Sequence, residues 1–178
     1  MPTRAPRRDR RWSAIAATVA AIVIGGAAIH WFTRSGSPAA ADDSRAAHVK
    51  AMREAQFESG FRQAVVMLHA KQYEHAVTAL HGLLKIAPEV PEVHVNMGFA
   101  LVGLNRLEAA RDFFLGATEL APLQANAYYG LAIALEGLGD RPAALGAMRT
   151  YVHLTTPDDP WLPKARAALW EWQDRPGR

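Results

Sequence analysis

The segment NMGFALVGLNRLEAARDFFLGATELAP, from Asn96 to Pro122, contains two amphipathic patterns with almost no loop between them. Apolar residues recur every three or four positions in each half, which predicts two helices packed against each other. Small residues interrupt the apolar faces, Gly98 in the first half and Ala110 in the second. Because a small side chain at a buried position lets a neighbouring element come close, the segment predicts a tight helical hairpin.

This pattern returns every 34 residues from Phe57 onward, in the segments 57–90, 91–124 and 125–158. Position 8 is small, position 20 is alanine, position 24 is large and apolar, and a proline stands near the end. In that order the residues are Ala64, Gly98 and Ala132; Ala76, Ala110 and Ala144; Leu80, Phe114 and Met148; and Pro88, Pro122 and Pro157. Three copies in one register predict a stack of three similar hairpins.

These residues resemble the tetratricopeptide repeat, a 34-residue helix–turn–helix. The resemblance covers residues 57–158 and implies an all-α fold, a three-repeat α-solenoid. The outer copies depart from the family pattern, since Gln63 replaces leucine at position 7 and Leu83 and Tyr151 replace a small residue at position 27.

Helical sequence flanks the repeats on both sides. Residues 44–56 have helical composition and are expected to extend the first helix backwards, so the repeat domain is predicted over residues 48–158. Residues 159–174 are predicted to form a C-terminal capping helix, because an open stack needs its last apolar face covered. Asp159 and Pro160 suit its start. Its expected buried face consists of Leu162, Ala165, Leu169 and Trp172, while Trp161 and Trp170 could instead form a contact patch.

The stretch Ser13–Thr33 is 21 residues long and contains no Asp, Glu, Lys or Arg. At about 1.5 Å per helical residue, it matches the roughly 30 Å hydrocarbon core of a bilayer. Five arginines precede it, so the positive-inside rule keeps residues 1–12 cytoplasmic and sends the repeats across the membrane. The sequence therefore predicts a single-pass anchor in a bacterial inner membrane, a linker over residues 34–47, and a periplasmic repeat domain.

The same stretch has three other interpretations. A cleaved signal peptide would use Ala39–Ala41 as its cleavage site, but Arg34 lies between that site and an unusually long apolar run. RRDRRW resembles a twin-arginine export signal only weakly. A buried helix of a globular domain does not account for the charge asymmetry. An uncleaved anchor is favoured, and cleavage stays open.

Composition excludes several classes of protein. Residues 1–34 carry six Arg and one Asp, a charge of +5, so the remaining residues carry −2 of the total +3. A nucleic-acid binder needs its basic surface on the folded domain, and therefore no nucleic-acid partner is expected. The absence of cysteine excludes disulfides, zinc–thiolate sites and cysteine nucleophiles.

The resemblance implies that the first helix of each repeat lines a concave groove. The predicted partner-binding residues are Phe61, Val95, Asn96, Phe99, Asn126, Tyr129, Ile133 and Glu136. Phe99 and Tyr129 are the strongest candidates, whereas Val65, Val95 and Ile133 could simply pack between helices. Some family members bind a C-terminal carboxylate through five Lys, Asn and Arg side chains. Only Asn96 matches that set, and the other positions hold Phe61, Val65, Asn126 and Gly130.

No catalytic residue, metal site or cofactor is predicted. The sequence contains no His-Glu-x-x-His, P-loop or Gly-x-Ser-x-Gly motif, and its histidines are scattered. His94 is expected to be exposed or packed, and Gly137 and Gly139 to serve the turn between helices.

The predicted function is a membrane-anchored adaptor that holds a partner polypeptide, similar to repeat proteins that assist assembly of envelope complexes, including those of cytochrome c maturation. The alternative is a structural subunit whose membrane span makes the main contacts.

Overall fold

The computed structural model describes residues 38–174, with side chains from residue 42 onward. The described residues form seven helices and no strand: α1 Pro38–His69, α2 Tyr73–Ile86, α3 Pro91–Gly103, α4 Leu107–Leu120, α5 Ala125–Gly137, α6 Arg141–Leu154 and α7 Leu162–Asp174. The prediction of an all-α fold is confirmed.

The chain divides into two compact units, Met1–Met52 and Arg53–Arg178. The described part of the first unit is Pro38–Met52, the beginning of α1, whose side chains from residue 42 are all exposed. The predicted tail at residues 1–12 and span at residues 13–33 lie outside the described residues. Within residues 38–174, no helix has both the length and the apolarity that crossing a membrane requires.

The predicted linker differs from the structure in its second part. Helix α1 extends backwards as expected for residues 44–56, but it continues to Pro38 and so includes residues 38–47. Proline is tolerated in the first turn of a helix, and the alanines that follow are strong helix formers. The small residues within the predicted linker therefore favour a helix.

The boundaries of the helices repeat with the predicted period. Helices α2, α4 and α6 begin at residues 73, 107 and 141 and end at 86, 120 and 154, in steps of 34. Helices α3 and α5 begin at 91 and 125 and end at 103 and 137. Each helix from α2 to α6 packs on the helix that follows it, and α3 also packs on α5. The first helices of the second and third repeats therefore lie side by side.

The repeated small and large residues form the core. All three position-20 alanines are fully buried, as are Ala64 and Ala132 at position 8. The position-24 residues Leu80, Phe114 and Met148 are also fully buried. At the C-terminal end α7 packs on α6 and buries Leu162, Ala165 and Trp172, while Leu169 is half-buried.

The ring of Phe114 explains why position 8 is glycine in the second repeat. A Cβ atom added to Gly98 would lie 2.6 Å from that ring, and one added to Gly130 of the next repeat would lie closer still. The expectation that Gly98 lets two helix backbones approach is therefore refined, because the space it leaves is filled by an aromatic side chain from α4. Gly130, which the sequence did not single out for packing, forms the other side of the same slot.

A second glycine contact recurs between neighbouring repeats. Tyr73 at the start of α2 packs on Gly103, where an added Cβ would lie 2.5 Å from the ring, and Leu107 packs in the same way on Gly137 at 2.7 Å. Both pairs join position 17 of one repeat to position 13 of the next. Gly137 thus serves packing between repeats, which corrects its predicted role in the turn.

The turns within the three hairpins share one backbone conformation. Lys71, Asn105 and Gly139, which stand 34 residues apart, have φ angles of 58°, 57° and 84°. After each one, a backbone amide bonds the carbonyl five residues earlier, as in Gln72 N to Met67 O at 2.9 Å. This is the Schellman ending of a helix, in which the left-handed residue is usually glycine. Gly139 serves the reversal of the chain between the two helices, as predicted.

Alanine substitution tests the Phe114 slot. Gly98→Ala or Gly130→Ala should lower the free energy of unfolding by about 1–3 kcal/mol, because the added methyl group overpacks a filled core. The matched control is Gly146→Ala on α6, where an added Cβ meets nothing within 4 Å. That change should stabilise the helix by up to about 1 kcal/mol. Urea unfolding followed by circular dichroism measures the stability of all three variants. Equal effects of the three substitutions would contradict the packing of Phe114 between Gly98 and Gly130.

Exchanging turn residues tests the left-handed position. Lys71→Gly should raise the free energy of unfolding by up to about 1 kcal/mol, because a residue with a Cβ is disfavoured at positive φ. Gly139→Ala should lower it by a similar amount for the same reason. Thermal unfolding midpoints shifted in opposite directions are expected, and a destabilising Lys71→Gly change would refute this account of the turn.

Candidate functional site

One cavity of about 690 Å³ opens on the side of the first helices α1, α3 and α5. Eleven of its lining residues are apolar, aromatic or glycine, and these are Phe61, Val65, Leu68, Tyr73, Val95, Phe99, Val102, Gly103, Tyr129, Tyr151 and Trp161. The polar lining residues are His69, Glu92, Asn96, Gln124 and Asn126. We call this cavity the groove. Its volume lies within the roughly 300–1,000 Å³ typical of ligand pockets.

The groove brings together six of the eight predicted site residues, Phe61, Val95, Asn96, Phe99, Asn126 and Tyr129. Val95 is only 5% exposed, so it packs between helices and also forms part of the floor. Ile133 and Glu136 are not among the lining residues. Ile133 is half-buried against the core and Glu136 is exposed. Both follow Tyr129 on α5, beyond the part of that helix that the groove reaches.

The floor of the groove is connected to the core through aromatic rings. The Phe99 ring meets the buried Phe114 ring edge-on, with centroids 5.0 Å apart and an interplanar angle of 73°. That geometry is favourable for aromatic pairs and restricts how Phe99 can move. The strongest predicted contact residue is therefore held by the same ring that occupies the Gly98–Gly130 slot.

Two asparagines and a carboxylate give the groove its polar character. The Asn96 Nδ2 atom donates to the backbone carbonyl of Glu92 at 2.7 Å, which leaves the Asn96 side-chain oxygen as an acceptor. Asn126 is exposed on α5, and the Glu92 side chain is exposed at the start of α3. Such side chains can bond the backbone of an extended or helical segment.

An aromatic cluster closes the C-terminal end of the groove. The Tyr129 ring lies 5.1 Å from that of Tyr151 and 6.2 Å from that of Trp161. The Lys164 ammonium stands 5.3 Å from the Trp161 ring centroid. Trp161 is still 53% exposed, so part of its surface is available to another molecule.

A carboxylate beneath this cluster sets the position of Trp161. Asp159 Oδ1 accepts hydrogen bonds from the Tyr151 hydroxyl at 2.8 Å and from the Trp161 amide at 2.7 Å, and Oδ2 accepts from the Thr155 hydroxyl at 3.0 Å. The bond from Tyr151, together with that from the Trp161 amide, lowers the pKa of Asp159. Burial, reinforced by the bond to Asp159, raises the pKa of Tyr151 to about 12. Helix α7 begins at Leu162, so the prediction that Asp159 caps this helix and that Pro160 stands in its first turn is wrong. Asp159 instead bonds the Trp161 amide before the helix and ties α6 to the groove.

His94 lies away from the groove. Its Nε2 atom is 2.7 Å from the carbonyl oxygen of Pro88, and its ring lies 5.7 Å from that of Phe113. The Tyr128 hydroxyl, 34 residues later, donates to the carbonyl of Pro122 in the same way at 3.0 Å. Both contacts join a first helix to the end of the preceding repeat, so His94 has a packing role. Between residues 38 and 174, no three His, Asp or Glu side chains are grouped closely enough to hold a metal ion.

The sequence matches no protein-family model and no curated protein. Solved structures do match. The TPR2B domain of yeast Sti1 in its pHsp70 complex has a TM-score of 0.62 and 20% identity over 67% of this chain and 98% of that chain. The fold is that of a tetratricopeptide-repeat domain. PcrH in complex with the chaperone-binding region of PopD has a TM-score of 0.64 and 15% identity over 67% of this chain and 92% of that chain. The first TPR of Spaghetti (RPAP3), bound to the HSP90 peptide SRMEEVD, has a TM-score of 0.60 and 16% identity over 66% of this chain and 90% of that chain.

Several lining residues of this tetratricopeptide-repeat domain were missed because they lie off the first-helix pattern. Tyr73 begins a second helix, Tyr151 lies within another, and Trp161 precedes the capping helix. Tyr151 did give a signal, since a large residue replaced the small one expected at position 27. The contact patch considered for Trp161 is at the groove, whereas Trp170 is 70% exposed and outside it.

The Asp159 network predicts two pH-dependent contributions to stability. Because the Asp159 pKa is lowered by folding, its contribution is complete above the ordinary value of about 4 and is lost as the pH falls through the folded pKa. Because the Tyr151 pKa is raised to about 12, its contribution is complete below about pH 10 and is lost between about pH 10 and 12. Asp159→Asn should therefore remove part of the acid dependence, and Tyr151→Phe part of the alkaline dependence.

Urea unfolding at a series of pH values measures both effects, with Asp158→Asn as the control for an exposed neighbouring carboxylate. Asp159→Asn should also lower the free energy of unfolding near neutral pH, because the buried Tyr151 hydroxyl loses a charged acceptor. Identical pH profiles for Asp159→Asn and wild type would show that this network does not stabilise the fold.

Proposed function

We propose that this protein is a membrane-anchored, non-enzymatic adaptor that holds a segment of a partner polypeptide in the groove. The observation that carries this proposal is an open, largely apolar cavity on the side of the first helices, with asparagine side chains beside aromatic rings. Apolar walls with a few placed polar groups are the usual composition of a binding site. The described residues of the cavity provide contacts for a peptide and no nucleophile–base pair.

The structural neighbours support the same kind of ligand. Two of them carry a peptide or a region of another protein, the HSP90 peptide SRMEEVD in one and the chaperone-binding region of PopD in the other. Such a segment binds as an amphipathic helix or as an extended strand. In this chain, Phe99, Tyr129 and Trp161 would contact its apolar side chains, while Asn96 and Asn126 would bond its backbone.

Attachment to a membrane is proposed from the sequence of residues 13–33. The 21 residues without Asp, Glu, Lys or Arg, preceded by five arginines, support a single crossing with the N-terminus in the cytoplasm. The repeat domain would then lie in the periplasm and hold an envelope protein during assembly of a membrane complex, of which cytochrome c maturation is one example. An anchor would keep the groove close to substrates emerging at the membrane surface.

A second candidate function is that of a structural subunit whose span makes the main contacts. Gly25 and Gly26 within the apolar stretch favour it, because small residues let membrane helices pack closely. Replacing residues 13–33 by an unrelated apolar span separates the two functions. The adaptor keeps its partner after the exchange, whereas a structural subunit loses its assembly.

Site-specific photo-crosslinking in membranes tests the adaptor proposal. A photoreactive residue at Asn126 should form adducts with a partner polypeptide, whereas the same residue at Glu136 should not. Both positions are exposed on α5, and only Asn126 lines the groove. Because aromatic side chains at a binding site often contribute about 2 kcal/mol or more, Trp161→Ala should weaken the Asn126 adduct by a factor of about 30.

Trp170→Ala is the matched control for the loss of an exposed tryptophan outside the groove, and it should leave the adduct unchanged. Equal adducts from Asn126 and Glu136, or equal losses from the two tryptophan substitutions, would contradict binding in the groove.

A further inference from the structure

The helices that form the groove carry an uneven distribution of charge. Residues 91–103 and 125–137, which make up α3 and α5, contain the acids Glu92 and Glu136 and neither Lys nor Arg. The basic residues of this region stand on the second helices, for example Lys85, Arg111 and Arg149. Within the groove, α3 and α5 therefore present the Glu92 carboxylate and no ammonium or guanidinium group, since Glu136 lies outside the lining.

Helix α1 does not offset this charge. Arg62 is one residue from Phe61, but it pairs with Glu58 at 3.9 Å, and both side chains are more than half exposed outside the lining of the groove. Lys164 contacts a lining residue, because its ammonium lies over the ring of Trp161, but it is not itself part of the lining. No Lys or Arg side chain is part of the groove wall in the described residues.

Glu92 is placed to receive a cation from a ligand. Its side chain lines the groove, and no ion pair among residues 38–174 involves it. Its backbone carbonyl holds the Asn96 amide nitrogen, so the Asn96 oxygen remains as a second acceptor nearby. Two acceptors without a cation among the lining residues match an ammonium or guanidinium group.

The opposite end of the groove has the same preference. It is lined by His69 and Gly103, the last residues of α1 and α3. The C-terminal end of a helix carries partial negative charge and interacts favourably with cations. The helix ends beside Tyr73 thus favour a cation, whereas the N-terminal ends of α3 and α5, beside Glu92 and Asn126, carry partial positive charge. The charge preference of the groove therefore rests mainly on the Glu92 carboxylate.

Building on the proposed peptide-binding function, we infer that the groove selects apolar segments that carry Lys or Arg and excludes acidic segments and free C-terminal carboxylates. A peptide such as SRMEEVD, bound by one of the structural neighbours, has two adjacent Glu and a terminal Asp. In this groove those carboxylates would face Glu92 and would find no lining Lys or Arg. Like charges placed against each other in this way reduce affinity and prevent binding to unsuitable partners.

Selection from a display library of random 12-residue peptides tests this inference on the full-length protein in detergent. Wild type should enrich peptides that combine Leu, Phe or Trp with Lys or Arg, and it should not bind labelled SRMEEVD. Glu92→Gln keeps the shape of the side chain and removes its charge. It should weaken a selected cationic peptide by up to about fivefold, as expected for an exposed ion pair.

Glu136→Gln is the control for the loss of one acid on a first helix outside the groove, and it should leave the affinity unchanged. Enrichment of acidic peptides, or equal affinities for wild type and Glu92→Gln, would overturn the charge selection and leave binding in the groove intact. If the enriched peptides bind equally well to Trp161→Ala and Trp170→Ala, they do not bind in the groove. That result would contradict the proposed function as well as the charge selection.

Discussion

The packing of the Phe114 ring between Gly98 and Gly130 is the constraint on which the rest of the site depends. The ring is fully buried, and it reaches from α4 into the space between α3 and α5. Only residues without a Cβ leave room for it on both sides, so two glycines of different repeats are required by one side chain. The same ring supports Phe99 at 5.0 Å, and thereby connects the core to the floor of the groove. The Phe114 ring consequently sets both the spacing between α3 and α5 and the position of Phe99.

Around that constraint, a few contacts recur at the 34-residue interval. Residues at position 17 pack on the glycine at position 13 of the next repeat, left-handed residues end the first helices, and position-4 side chains bond the proline carbonyl before them. Each contact is local and modest, but repetition sets the same arrangement between successive hairpins. The third repeat departs from this series at Tyr151. There the larger side chain, bonded to Asp159, forms the aromatic end of the groove together with Trp161.

Much of this could be predicted from the sequence because a solenoid contacts mainly its sequence neighbours. The period and the buried small positions follow from residue spacing, and the resemblance to the repeat family implies the six predicted residues that line the groove. The role of Gly130 could not, since it depends on which way a ring from another helix points. Ile133 and Glu136 share the predicted face of α5, but the groove ends near Tyr129, and its extent along a helix depends on side chains from other elements. Trp161 lies in a connection without periodicity, so only the fold brings it to the groove. The membrane anchor and the periplasmic location concern residues 1–37 and remain predictions.

The most direct test of this account is a measurement of nuclear Overhauser effects from the ring protons of Phe114 in the isotope-labelled protein. If the ring lies between both glycines, it should show strong contacts to the α-protons of Gly98 and Gly130, and its ring current should shift those protons upfield. Contacts to only one of the two glycines, or a Phe114 ring that contacts solvent, would contradict the packing on which the groove depends.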